Sequence, residues 1–140
     1  MLTDQQIDDA LRAVARKKVP FEGRWTRAPY PERSHDGRTF AVLADDPEIE
    51  SLVVDRATSE VLVLDSSLAL VNRSLSQFAA SAAAYAAAHK RAKSIDEDDD
   101  KALEANGEQA LRSIRDIDAD AVADENQFWA VATEELGYGM

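Results

Sequence analysis

The stretch "LVNRSLSQFAASAAAYAAAH", residues 70–89, restricts the possible folds of this chain more than any other. Its first residues end an apolar extended segment that closes at Val71; Asn72 and Arg73 turn the chain, and from Ser74 onward only a helix fits. Gln77 follows Ser74 by three residues. At that spacing the hydroxyl accepts from a free backbone amide while the longer side chain reaches back. Leu75, Phe78, Ala82 and Tyr85 recur at steps of three and four along one face. Alanine fills 8 of the 10 positions from Ala79 to Ala88, which gives high helix propensity and a slim cylinder able to lie close against a sheet. A strand joined directly to the main core helix points to an α+β domain.

The flanking sequence fits that reading. Thr3 with Gln6, then Ile7, Leu11 and Val14, predicts a helix over residues 3–17. From Val19 to Arg38 the chain reads as a loop punctuated by Pro20, Gly23, Pro29, Pro31 and Gly37, with Phe21, Trp25 and Tyr30 tacking it onto the core. "TFAVLA" (39–44), "SLVVD" (51–55) and "VLVLD" (61–65) are strands rich in branched residues, the last two forming a hairpin across "RATSE". Strands this apolar are either covered on both faces or central in a small sheet flanked by helices. After Lys93 the run Asp96 to Asp100 repels itself into solvent. "KALEANGEQALRSI" then resumes a helical pattern interrupted by Gly107. A last helix, capped by Asp120 or Asp124 and ending at Gly137, turns Phe128, Val131 and Leu136 inward. No internal repeat or long linker divides the chain, so a single domain over 1–140 is expected, with a small mostly antiparallel sheet flanked by helices.

Composition narrows the function classes. No run of about 18 apolar residues exists to span a membrane, and the acidic amphipathic N-terminus does not read as a signal peptide. With no cysteine, disulfides, thiolate metal sites and thiol nucleophiles are excluded, as suits a cytoplasmic protein. The net charge is −11, and it is uneven: residues 1–40 hold 8 basic and 6 acidic side chains, residues 41–140 hold 8 and 21. Such a surface repels nucleic acid and anionic membranes and speeds encounter with basic partners.

Catalytic and metal signals fail on spacing. A calcium loop beginning at Asp96 would put Lys101 at its sixth position and Gly107 at its twelfth; one beginning at Asp116 would put Ala121 and Gln127 there. His35 and His89 lie in unrelated contexts without zinc spacing or a serine-nucleophile motif, and His89 near a helix C-terminus suits a cation. There is no glycine-rich phosphate loop. The expectation is a non-enzymatic protein without cofactor or metal.

The joint Val71-Asn72-Arg73-Ser74-Leu75-Ser76-Gln77-Phe78, preceded by the hairpin Asp55 to Val61 and followed by Phe128-Trp129 and Glu134-Glu135-Leu136, resembles the SUKH superfamily, in the branch usually numbered four, over about residues 40–136. One departure stands out. The family commonly has Thr-Gly-Glu at the hairpin turn, and this chain has Thr58-Ser59-Glu60, so a positive backbone angle there would be strained unless the turn differs. The resemblance implies a SUKH-like fold and a bacterial immunity protein. Such a protein binds the toxin domain of a polymorphic toxin system, often a nuclease or nucleic-acid deaminase, and blocks it by steric and electrostatic occlusion. The partner expected is a basic cognate toxin, with no nucleic acid and no membrane. Charge and exposure nominate Asp45, Asp46, Glu48 and Glu50 beside the strands, and Asp96, Glu97, Asp98, Asp99 and Asp100 after the core helix, as partner-binding residues. The alternative is an adaptor or regulatory module of the same fold with a non-toxin partner.

Overall fold

In the computed structural model, which describes residues 1–140, the chain runs through α1 (Asp4–Leu11), β1 (Arg24–Trp25), β2 (Glu32–His35), β3 (Arg38–Asp46), β4 (Glu50–Asp55), β5 (Val61–Leu64), β6 (Leu68–Asn72), α2 (Leu75–Ala92), α3 (Asp100–Ile117) and α4 (Phe128–Gly137). The sheet is antiparallel in every pairing, in the order β1-β3-β4-β5-β6, with β2 beside β1 on the outer edge of the long strand β3. This is an α+β fold, as the joint at residues 70–89 required.

Local signals account for most of the elements. Thr3 and Gln6 form the reciprocal cap of α1, and Ile7, Leu11 and Val14 are buried. The helix is shorter than its pattern, ending at Leu11; a 3₁₀ turn at Arg16–Lys18 follows. The segment read as loop contributes β1 and β2. Its overlooked signal is Asp36-Gly37, both at positive φ (48° and 78°) in the two-residue turn joining β2 to β3, a turn type that favours this dipeptide. Gly107 does not interrupt α3. It is buried mid-helix where α4 crosses, and a Cβ there would sit 2.7 Å from the Thr133 carbonyl oxygen. α4 starts after Gln127 rather than after a capping aspartate, and it buries Trp129, Ala132, Thr133 and Leu136 while Val131 points outward.

The two faces of the sheet are covered differently. Ala41, Leu43, Leu52, Val54, Val61 and Val71 pack with Leu75, Phe78, Tyr85, Ile114 and Trp129 in the main core under the helices, where each large side chain contributes about 1.5–3 kcal/mol by burial. On the other face Phe40, Val42, Val53, Leu62 and Leu64 form a second cluster. Arginines help to roof it. The Arg38 guanidinium lies 5.1 Å from the Phe40 ring centroid and binds Asp55 and Glu60 at 2.9 and 2.8 Å, while Arg33 donates to the Ser51 hydroxyl at 2.7 Å. Their aliphatic stems cover apolar surface and their charged heads stay wet. Burial pushes the Asp55 carboxyl up, but the Ala57 and Thr58 amides and Arg38 outweigh it and hold the group below the usual range.

Candidate functional site

Two polar clusters surround the junction of β6 and α4, and only one of them has spare capacity. The first is built on the joint. Asn72 is fully buried; its amide donates to the Ser81 hydroxyl and to Asp118 Oδ2, both at 3.1 Å, while its carbonyl accepts from Trp129 Nε1 at 2.8 Å. Asp118, also buried, accepts from the Arg73 backbone N–H at 2.8 Å and from Arg73 Nε at 2.9 Å. Ser74 caps α2 by accepting from the Gln77 N–H, and Gln77 donates to the Ile117 carbonyl at 3.2 Å. The turn at Ser59 does adopt a positive φ, 70°. Its hydroxyl accepts from the Leu75 N–H at 3.0 Å, so the serine satisfies a free donor at the start of α2 that a glycine could not reach. This network ties β6, α2, the 118 turn and α4 together with its partners satisfied, and it leaves nothing free for chemistry.

The second cluster lies where β3 turns to β4 and β5 turns to β6. At this end a groove of about 990 Å³ opens on the helix-facing side of the sheet. Its floor includes Val63 and Ala69, which are register partners on β5 and β6. Pro20–Glu22 wall it, as does the first part of α4 with Phe128 and Val131. The lining holds six carboxylates, Glu22, Asp46, Glu50, Asp65, Asp124 and Glu135, and no lysine or arginine. None of the six forms an ion pair. Asp46 and Glu50 are cross-strand partners, an arrangement in which like charges destabilise the pair. Asp65 accepts from the Ser67 N–H and hydroxyl at 2.7 and 3.2 Å, which lowers its carboxyl below the usual range and keeps it charged. Glu135 acts on its surroundings: after burial, its charge is the second cause raising the Tyr85 phenol.

The nominated acids therefore divide. Asp46 and Glu50 face the groove, and Glu48 is exposed on the turn between β3 and β4 with φ 67°. Asp45 turns to the opposite face, where it accepts from the Ser51 hydroxyl at 2.6 Å and from Arg33 at 3.3 Å. Asp96 to Asp100 form a separate exposed corner between α2 and α3. There Asp99 caps α3 by accepting from Ala102, Asp96 accepts from the Asp98 N–H, and Asp100 sits in the first helical turn, where negative charge is favoured. Reasoning from sequence did not find Glu22, Asp65, Asp124 and Glu135, because they come from four separate segments that only the tertiary fold brings together.

Other chemistry finds little support. No group of three or more His, Cys, Asp or Glu side chains is placed to hold a metal ion. His35 reaches Asp36 at 3.2 Å on the surface. His89 is not the favourable cation its position suggests: burial, then the charges of Lys18 and Lys93, lower it below its ordinary value, and its Nδ1 is buried without a partner. No helix is long and apolar enough to cross a membrane. Among known proteins, a family model described as SUKH-4 immunity protein matches residues 8–135, extending the likeness through the N-terminal loop and into the second half of α1. No curated protein and no solved structure matches the chain.

Proposed function

The chain belongs to the SUKH-4 immunity protein family, and from that membership, which implies a toxin as partner, we propose that it binds a basic cognate domain of a bacterial polymorphic toxin, a nuclease or nucleic-acid deaminase. It neutralises that domain by steric and electrostatic occlusion and performs no reaction itself. It acts in the cytoplasm as a single domain, without cofactor, nucleic acid or membrane. The observation that carries this reading is the groove of six carboxylates with no cation among them. A folded protein gains nothing from gathering unpaired like charges, whereas a basic partner would satisfy them all at once. Toxins that act on nucleic acid need basic grooves of their own for phosphate, so an acidic surface can occupy one. A specific complex would bury on the order of 1,600 Å², with the acids steering encounter and a few apolar anchors setting its lifetime. Asp46, Glu48 and Glu50 are the nominated residues best placed for contact; Asp96 to Asp100 form a second acidic surface at a different corner.

The test is co-purification of the tagged chain with the toxin domain encoded beside it, with affinity measured at low and high salt. Tight binding that weakens with salt is expected. Tight binding indifferent to salt would discard the electrostatic mechanism and keep the immunity role. Absence of binding, with the toxin still active when the two are mixed, would overturn the reading.

A further inference from the structure

The groove has an apolar floor as well as a charged rim, and the combination specifies its occupant more narrowly than charge alone. Val63 and Ala69 form the sheet side, and Phe21, Phe128 and Val131 line the flanks. Ile49, on the lip, is 65% exposed, and Val131 is 37% exposed on the outward face of α4. Each apolar residue left in water here adjoins unpaired carboxylates. A polyamine or a bare phosphate-binding loop would match the rim and leave the floor wet. A purely apolar segment would fill the floor and bury the carboxylates unpaired, which costs more than it gains. Within the rim, Asp46 and Glu50 are cross-strand partners and neither forms an ion pair, so a cation placed between them would relieve their repulsion.

We propose, resting on the toxin-binding reading above, that the groove receives a segment of the toxin in which one or two aliphatic side chains are flanked by Arg or Lys. The aliphatic groups lie on Val63, Ala69 and Val131. The flanking cations bridge Asp46 and Glu50 on one side and Asp124 and Glu135 on the other. Arginine suits these positions because its planar fork can engage two carboxylates at once. The groove volume of about 990 Å³ accommodates several residues of such a segment.

The experiment uses the full chain, labelled with ¹⁵N, and two synthetic peptides of equal charge: one interleaving Leu with Arg, the other with Ser in place of every Leu. The Leu–Arg peptide should shift the backbone amides around Val63, Ala69 and Val131 and bind at least about tenfold more tightly than the Ser–Arg peptide, as an apolar anchor adds to charge attraction. Ala69→Arg places a cation and bulk on the exposed floor without touching the core. It should abolish the groove shifts while the rest of the spectrum stays dispersed. Equal binding of both peptides, shifts confined to residues 96–100, or no shifts at all would overturn the proposal. Toxin co-purification run in parallel separates the two levels. A toxin retained unchanged by Ala69→Arg refutes the groove and leaves the immunity role. Groove binding by the Leu–Arg peptide, with no toxin bound by the unaltered chain, refutes the immunity role and leaves the groove.

Discussion

Strand β6 and helix α4 each serve two polar clusters, and the clusters are opposite in kind. At one end of β6, Asn72 meets Trp129 of α4, and with Ser81, Arg73 and Asp118 they form a buried network of satisfied hydrogen bonds. At the other end, Ala69 looks toward Val131 and Glu135 across a groove whose six carboxylates have no cationic partner. The first arrangement defines how the helices sit on the sheet, because any other packing would leave buried donors and acceptors unpaired. The second does nothing for the isolated fold and, through Asp46 facing Glu50, works against it. A polar cluster that stabilises the fold and one kept ready for a partner are thus told apart by whether their groups are already satisfied.

Substitutions in the two regions should move stability in opposite directions. The largest effect is expected from Asn72→Ala, which strands the Trp129 N–H in the interior and takes one donor each from Ser81 and Asp118; urea unfolding should show a loss of roughly 3 kcal/mol. A loss below about 1 kcal/mol would mean that the network is dispensable. Gly107→Ala tests the placement of α4, on which both regions depend. The added methyl would meet the Thr133 carbonyl at 2.7 Å, and the net cost should be about 1–2 kcal/mol despite the better helix propensity of alanine. Ser59→Ala keeps the strained φ and removes the acceptor of the Leu75 N–H, so it should cost about 1 kcal/mol. Ser59→Gly relieves the strain while losing the same bond and should fall near zero. If Ser59→Ala cost nothing, the serine hydroxyl would have no part in capping α2; if both variants behaved alike, the positive φ would carry no strain. The one change of opposite sign is expected in the groove: Asp46→Asn should stabilise the free protein by roughly 0.5 kcal/mol at low salt while weakening its hold on the toxin. Destabilisation by Asp46→Asn would show that the pair has a structural partner and would erase the contrast drawn here.

Local encoding explains what could be read in advance. The caps at Thr3 with Gln6 and at Ser74, the β-branched strands and the stripe Leu75–Phe78–Tyr85 depend on residues within a few positions of one another, and all of them stand in the structure. Misreadings arose where a contact distant in sequence overrode a local preference. Gly107 looked like a break until α4 packed against it. Val131 looked like core until Trp129, through its bond to Asn72, set the rotation of α4.

The candidate site lay further out of reach, and β3 shows why. Strict alternation from Ala41 would place Leu43 and Asp45 on the helix side and Asp46 on the other. The register shift between Val42 and Ala44 inserts one residue, so Leu43 and Ala44 both enter the main core, Asp45 turns to Arg33, and Asp46 turns into the groove. By itself the sequence determined the α+β class, the caps, the joint that carries the family likeness, and an acidic surface, because propensity, capping and net charge are properties of near neighbours or of simple sums. Which carboxylates stand together, and beside which apolar floor, was decided by the tertiary structure alone, because strand register, one bulge and the docking of α4 assign each side chain to a face.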